Sequence, residues 1–249
     1  MTQRKKGKVI IVGAGPGDPG LFTMKGVEAL QVADVVIYDR LVHPKILNSA
    51  ASHTKKVYAG KQPGRQELSQ AEINSLVLKL ATEGKTVVRL KGGDPYLFGR
   101  GAEEAEALKK HSIPFKIVPG VTSAVAVPGL AGIPVTHRKH SSSLAIVTGH
   151  EDPTKPFTRV NWEKIASAVD TIVVLMGMEN LSSIMKRILS SGKPATTPVA
   201  VIEWGTIRLQ RVLTGNIGNI TRKVKAAKMH PPSVIVIGDV VRLKQLLDG

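Results

Sequence analysis

Short apolar runs recur along this chain, and most of them stop at glycine, proline or an acid. Residues 8–12 (KVIIV) run into Gly13-Ala14-Gly15-Pro16-Gly17-Asp18-Pro19-Gly20, and Val35–Tyr38 into Asp39-Arg40. Residues 87–90 run into Lys91-Gly92-Gly93-Asp94-Pro95, and Phe115–Val118 into Pro119-Gly120. Runs this short, rich in valine and isoleucine and bounded by turn residues, predict buried β-strands. A further short strand is expected at 57–59. The segments between them carry helical signals. Thr23 is placed to cap MKGVEALQ, and His43-Pro44 opens a short helix. Ser69 and Glu72 form a capping box ahead of Ile73, Leu76, Val77 and Leu80, which are spaced for one helix face. Gly101–Lys110 reads as a charged helix.

The pattern changes in the second half. Strands are expected at Leu144–Thr148, Thr171–Leu175, 199–204, 210–214 and Ser233–Ile237, with helices at 180–190, 217–228 and 240–247. The first half alternates strand and helix, as a parallel sheet requires, whereas the second mixes them with antiparallel pairs. The fold class is therefore α/β with two domains. The exposed-looking stretch His137-Arg138-Lys139-His140-Ser141 puts the boundary between residues 1–139 and 140–249. Residues 117–135 carry no charge and are long enough to imitate a membrane span. Three prolines and three glycines inside them (Pro119, Pro128, Pro134, Gly120, Gly129, Gly132) argue for loop–helix–loop instead.

Chemistry concentrates at the strand ends. Gly92 and Gly93 remove side-chain bulk and permit positive φ, so a ligand can lie on the main chain. Asp94 can accept hydrogen bonds from ligand hydroxyls or an amine, and ligands of open α/β sheets sit outside the carboxyl ends of the strands. The competing reading is a tight turn with an aspartate cap. Gly15, Gly17 and Gly20 formally match the dinucleotide fingerprint GxGxxG. Pro16 and Pro19, however, remove N–H groups that a phosphate cradle needs. Asp39 ends a strand, where it is available for chemistry, for pairing with Arg40 or for capping the next turn. From residue 55 to 65 the basic Lys55, Lys56, Lys61 and Arg65 are accompanied by no acid, which suits either an anion contact or a solvated loop. Thr122 and Ser123 offer hydroxyls and amides at a helix start. His137 and His140 are spaced for a metal but lack an evident third ligand.

Composition narrows the partners. The 249 residues include 42% hydrophobic positions, ordinary for a globular protein, and no cysteine. Disulfides, thiolate metal sites, iron–sulfur clusters and cysteine nucleophiles are thereby excluded. The formal charge is +16. Residues 1–139 contribute 21 basic against 11 acidic side chains and residues 140–249 contribute 14 against 8, so both halves are basic. A polyanionic partner is expected: nucleic acid, a membrane surface or a small polycarboxylate or phosphate. Aromatic content of 4%, with no interleaving of basic and aromatic residues, weighs against nucleic acid. The polar, basic stretch ahead of residue 9 does not read as a signal peptide, so a cytoplasmic location is expected.

Taken together, VGAGPGD, VVRLKGGDPYLFGRGAEE, VPGVTSAVAVPGLAGIPVTHR and LMGM resemble the tetrapyrrole methyltransferases, in the right order and over essentially the whole chain. The resemblance implies two α/β domains with S-adenosylmethionine between them, no metal, and a homodimer. It implies cofactor contacts at Pro16, Gly92, Gly93, Asp94, Leu97, Thr122, Ser123, Met176 and Gly205, and catalytic roles for Asp39 and Lys61. The implied reaction is C-methylation of uroporphyrinogen III at C2 and C7 to precorrin-2, on the way to sirohaem and cobalamin. That substrate bears eight carboxylates, which gives the positive charge a partner and puts Lys55, Lys56 and Arg65 forward as substrate contacts. Trp204, where the family commonly has asparagine, and Arg138-Lys139-His140 depart from the pattern. No dinucleotide-binding extension precedes the motifs, so dehydrogenase or ferrochelatase activity is not implied. The alternatives are a later corrin precursor or diphthamide as substrate, an RNA-binding methyltransferase, or a nicotinamide dehydrogenase.

Overall fold

The computed structural model describes residues 6–60, 68–151 and 159–247. The chain divides into two compact units, Met1–Thr122 and Ser123–Gly249. The division falls ahead of the 139/140 boundary expected from the exposed basic stretch. The reason is packing: the helix Ser123–Leu130 lies on strands of the second unit.

In the first unit, β1 (Lys8–Gly13), β2 (Val35–Tyr38), β3 (Lys55–Tyr58), β4 (Thr86–Lys91) and β5 (Phe115–Val118) form one sheet in the order β3-β2-β4-β1-β5. Every neighbouring pair is parallel. The sheet is apolar on both faces because helices cover both. One face packs Val9, Ile11, Ile37 and Val87 against Ile73 and Val77 of α2 (Gln70–Thr82) and Ala105 and Leu108 of α3 (Gly101–Lys110). The other packs Ile10, Val12, Val36 and Leu90 against Ala29 and Leu30 of α1 (Met24–Gln31) and Ile46 and Leu47 of the 3-10 turn Pro44–Ser49. Thr23 caps α1 by accepting from the Gly26 N–H, and Ser69 and Glu72 complete the capping box of α2.

The second unit opens with α4 (Ser123–Leu130). Its sheet contains β6 (Leu144–Thr148), β7 (Thr171–Leu175), β8 (Pro198–Glu203), β9 (Arg211–Asn216) and β10 (Ser233–Ile237) in the order β6-β7-β10-β8-β9. Only β6 and β7 pair in parallel; β10 and the β8–β9 hairpin run antiparallel to their neighbours. One face carries α5 (Trp162–Ala168), α6 (Leu181–Ser190) and α7 (Ile220–Ala226), packed through Trp162, Ile184, Ile188 and Ile220. The uncharged stretch 117–135 resolves into the end of β5, a turn, α4 with Pro128 inside it, and a further turn. No helix among the described residues is long and apolar enough to cross a membrane.

Candidate functional site

The first unit builds a glycine floor at the carboxyl ends of β1, β4 and β5. After β1 the chain passes to α1 on one face, and after β4 it passes to α3 on the other, so these adjacent strands flank a crevice at the sheet's switch point. An isolated antiparallel bridge closes its base. The Gly93 N–H donates to the Gly15 carbonyl at 2.7 Å and the Gly15 N–H to the Gly93 carbonyl at 3.2 Å. The three exits are packed backbone to backbone. A Cβ on Gly13 would lie 2.5 Å from Gly120 Cα and 2.6 Å from the Gly93 oxygen, and one on Gly120 would lie 2.3 Å from that same oxygen. Pro16 follows on the rim, half-buried. Only a single 3-10 turn, Pro19–Leu21, forms within GxGxxG, and the α-helix starts at Met24, capped by Thr23, so the motif does not open an α-helix as a dinucleotide fingerprint would.

The paired glycines Gly92 and Gly93 differ in what they are for. Gly93 takes φ +68°, and a Cβ there would meet no atom within 4 Å. Gly92 does not take left-handed backbone, and its Cβ would strike Leu41 Cβ at 2.8 Å. Gly92 is thus needed by the protein's own packing, while the space over Gly93 can admit a ligand. Asp94 works as a staple. Its Oδ1 accepts from the Tyr96 and Leu97 N–H groups at 2.8 and 3.1 Å, and its Oδ2 accepts from Gly120 N–H at 3.0 Å. Oδ1 therefore closes the loop on itself, and Oδ2 ties it to the β5 exit.

Asp39 leaves β2 at the same edge of the sheet. Its Oδ1 accepts from Leu41 N–H at 3.0 Å, in the turn that rests on Gly92. Its Oδ2 lies 3.8 Å from the guanidinium of Arg89, and the side chain is 28% exposed. Behind it is a buried ionic cluster that the strand pattern conceals. Arg89 and Lys91 on β4 and Glu104 on α3 are each 5% exposed or less. Lys91 Nζ donates to Glu104 Oε1 at 2.6 Å, Arg89 Nε to the same oxygen at 3.3 Å, and Gln70 Nε2 to it at 3.0 Å. Burial pushes the Lys91 ammonium below its ordinary value and Arg89 beside it adds to the shift, while Glu104 and Asp39 oppose it. Glu104 Oε2 has no hydrogen-bond partner among the described residues, and Glu104 lines a cavity of about 10 Å³ with Arg89 and Asn74.

Tyr38 and Tyr58 stack at a tilt, 5.4 Å apart, at the ends of β2 and β3. Lys55 and Lys56 stand at the opposite end of β3, exposed and paired in register with Val35 and Val36. They belong to an edge strand and not to a loop, three and two residues before the strand's ligand-facing end. Lys61 and Arg65 lie outside the described residues.

The second unit also keeps its candidates at strand ends. Met176 follows β7 with φ 55° and is 50% exposed, and Trp204 follows β8 with φ 48°. Left-handed backbone at two bulky residues is costly and concentrates at functional positions. Gly205, next to Trp204, packs so closely on α4 that a Cβ would meet Val127 Cγ1 at 2.3 Å. Ser123 is the first residue of α4, preceded by Thr122. His137 and His140 have rings 4.9 Å apart, and no group of three metal-binding side chains occurs among the described residues.

Residues 8–221 match the family model described as Tetrapyrrole (Corrin/Porphyrin) Methylases. The chain is a tetrapyrrole methylase. It is 51% identical to a uroporphyrinogen-III C-methyltransferase of Methanocaldococcus jannaschii, over 95% of this chain and 98% of that one. It is 47% identical to a siroheme synthase of Nitrosomonas eutropha, over 97% of this chain but only 50% of that protein. Among solved structures, the uroporphyrin-III C-methyltransferase of Thermus thermophilus, complexed with S-adenosylhomocysteine, superposes with a TM-score of 0.81. The two are 38% identical, and the match covers 95% of this chain and 100% of that one.

Seen as a tetrapyrrole methylase, the first unit gathers Pro16, Asp39, Gly92, Gly93, Asp94 and Leu97 at one edge of one sheet. Sequence reasoning missed Gly13 and Gly120, whose closeness is visible only once β1 and β5 are adjacent. It missed Gly149 and Gly177 in the second unit, where a Cβ on Gly149 would lie 2.3 Å from Gly177 Cα. It also passed over Arg89, Lys91 and Glu104. The signal was present: two cations at alternate positions of an otherwise apolar strand, VVRLK, face the same side of the sheet.

Proposed function

We propose that this chain is an S-adenosylmethionine-dependent C-methyltransferase that methylates uroporphyrinogen III at C2 and C7, by way of precorrin-1, to precorrin-2. The observation that carries this reading is the 51% identity, across nearly all of both chains, to a uroporphyrinogen-III C-methyltransferase. The S-adenosylhomocysteine held by the Thermus relative supports the cofactor. The open direction above Gly93 supports it independently, because it is the space a main-chain-bound ligand needs. In the first unit the proposed cofactor contacts are Pro16, Gly92, Gly93, Asp94, Leu97 and Thr122; in the second they are Ser123, Met176 and Gly205. Of these, Gly92 and Asp94 act through the shape of the loop. A homodimer in the cytoplasm, without nucleic-acid or membrane partner, belongs to the same reading.

S-adenosylmethionine supplies an electrophilic methyl group on a sulfonium sulfur. The porphyrinogen pyrrole is electron-rich enough to attack it without a protein nucleophile, so the protein's part is alignment and exclusion of water. Methylation leaves a cationic ring. The carboxylate of Asp39 stabilises that ring or accepts its proton. Lys61 donates a proton or holds a substrate carboxylate, and Arg65 adds positive charge toward the substrate's carboxylates. Lys55 and Lys56, at the far end of β3, raise the local positive field without touching the reacting ring.

Incubation with S-adenosylmethionine and uroporphyrinogen III, followed by mass spectrometry, tests the reading. A product carrying two added methyl groups is expected. A folded protein that binds S-adenosylhomocysteine but leaves uroporphyrinogen III unmethylated would turn the proposal toward a later corrin substrate.

A further inference from the structure

The buried cation Arg89 is the least expected feature of the first unit. It sits mid-sheet, 3% exposed, on a strand flanked on both sides by apolar strands. Strand parity explains where it points. Ile37 on β2 pairs in register with Arg89, and Asp39 lies two residues beyond Ile37 on the same face. The guanidinium is anchored at two of its three nitrogens. Nε donates to Glu104 Oε1 at 3.3 Å, and Nη1 to the carbonyls of Leu90 and Ile37 at 3.0 and 3.5 Å. Its third nitrogen, Nη2, has Asp39 Oδ2 at 3.8 Å and no other partner among the described residues.

The charges balance in the same arrangement. Arg89 and Lys91 against Glu104 leave one formal positive charge, and Asp39 is the anion that meets it. A planar guanidinium fixed by main-chain carbonyls is a rigid reference point in a way a flexible ammonium is not. With Oδ1 held by Leu41 N–H and Oδ2 facing Nη2 at 3.8 Å, the carboxylate of Asp39 has a neighbour on each oxygen although it is partly open to solvent. We infer that Arg89 is a positioning residue: anchored by Glu104 and the β2 and β4 carbonyls, it holds the Asp39 carboxylate in the orientation that serves methyl transfer. The inference rests on the reading of Asp39 as a catalytic residue.

The test is a kinetic cycle on the full chain with Arg89→Gln, Arg89→Lys, Asp39→Asn and the Asp39→Asn doubles. It measures kcat and KM for uroporphyrinogen III, S-adenosylhomocysteine affinity and melting temperature. Asp39→Asn is expected to lower kcat by about 10²-fold, the scale of positioned acid–base groups. Arg89→Gln is expected to lower kcat by about tenfold with KM and cofactor affinity unchanged, and Arg89→Lys to recover part of that loss. On the Asp39→Asn background either Arg89 change should cost kcat less than about twofold, because there is no carboxylate left to orient. Equal losses on both backgrounds would overturn the inference while leaving Asp39 catalytic. Normal turnover by Asp39→Asn itself would overturn the catalytic reading, and the inference with it. If Arg89→Gln fails to fold, Arg89→Lys carries the cycle; failure of both to fold would assign Arg89 to the core alone and overturn the proposal.

Discussion

At the scale of single residues, Gly92 and Gly93 are neighbours with opposite obligations. Gly93 is in left-handed backbone with open space where a side chain would be, so its constraint is conformational and ligand-facing. Gly93→Ala is expected to cost about 1 kcal/mol of stability and to weaken S-adenosylmethionine binding while the protein stays folded. Gly92→Ala drives a methyl into Leu41, and through it into the turn that holds Asp39, so turnover should fall more than cofactor affinity. Calorimetry and steady-state kinetics on the two variants separate these outcomes. Unchanged cofactor affinity in folded Gly93→Ala would remove the space above Gly93 from the cofactor site.

At the scale of elements, the loop after β4 is held by one side chain. Asp94 receives three main-chain N–H groups, two from its own turn and one from the β5 exit. Asp94→Ala leaves all three without that acceptor and is expected to cost about 2 kcal/mol, the scale of hydrogen bonds to a charged group. A denaturation midpoint equal to the wild type would show the staple to be dispensable. The loop was legible in sequence as a glycine turn at the carboxyl end of a strand, and so were both sheets, because strand runs and caps are local signals. Thr23, Ser69 and Gly101–Lys110 fall where the periodicity puts them. What was not legible depends on neighbours distant in the chain. For Asp94 the sequence leaves ligand acceptor and turn cap both open, because the donor that reveals the staple, Gly120, is 26 residues away. The helix expected over 217–228 forms only at Ile220–Ala226, since 217–219 are used in the turn that leaves β9. The capping signals in Thr122-Ser123 do not reveal that α4 packs on the second sheet, which is why the boundary was expected too late.

At the scale of the whole molecule, the charge of +16 acts as a field more than as a set of contacts. Raising ionic strength is therefore expected to increase KM for a polycarboxylate tetrapyrrole steeply while kcat stays near its low-salt value. A KM indifferent to salt between about 20 and 500 mM would confine the charge to solubility. The strand order of the first sheet carries a different consequence, one of timing. β1 precedes the other strands of its sheet, yet its partners are β4 and β5, so its apolar run KVIIVG has no neighbour until residue 91 is available. At ribosomal speeds of about 5–20 residues per second, that is a wait of several seconds with both hydrogen-bonding edges bare. Arg4, Lys5, Lys6 and Lys8 crowd the start of that run. Like charges there make two nascent copies repel where they would otherwise zip together, so the basic stretch guards the strand until the rest of its sheet has been synthesised.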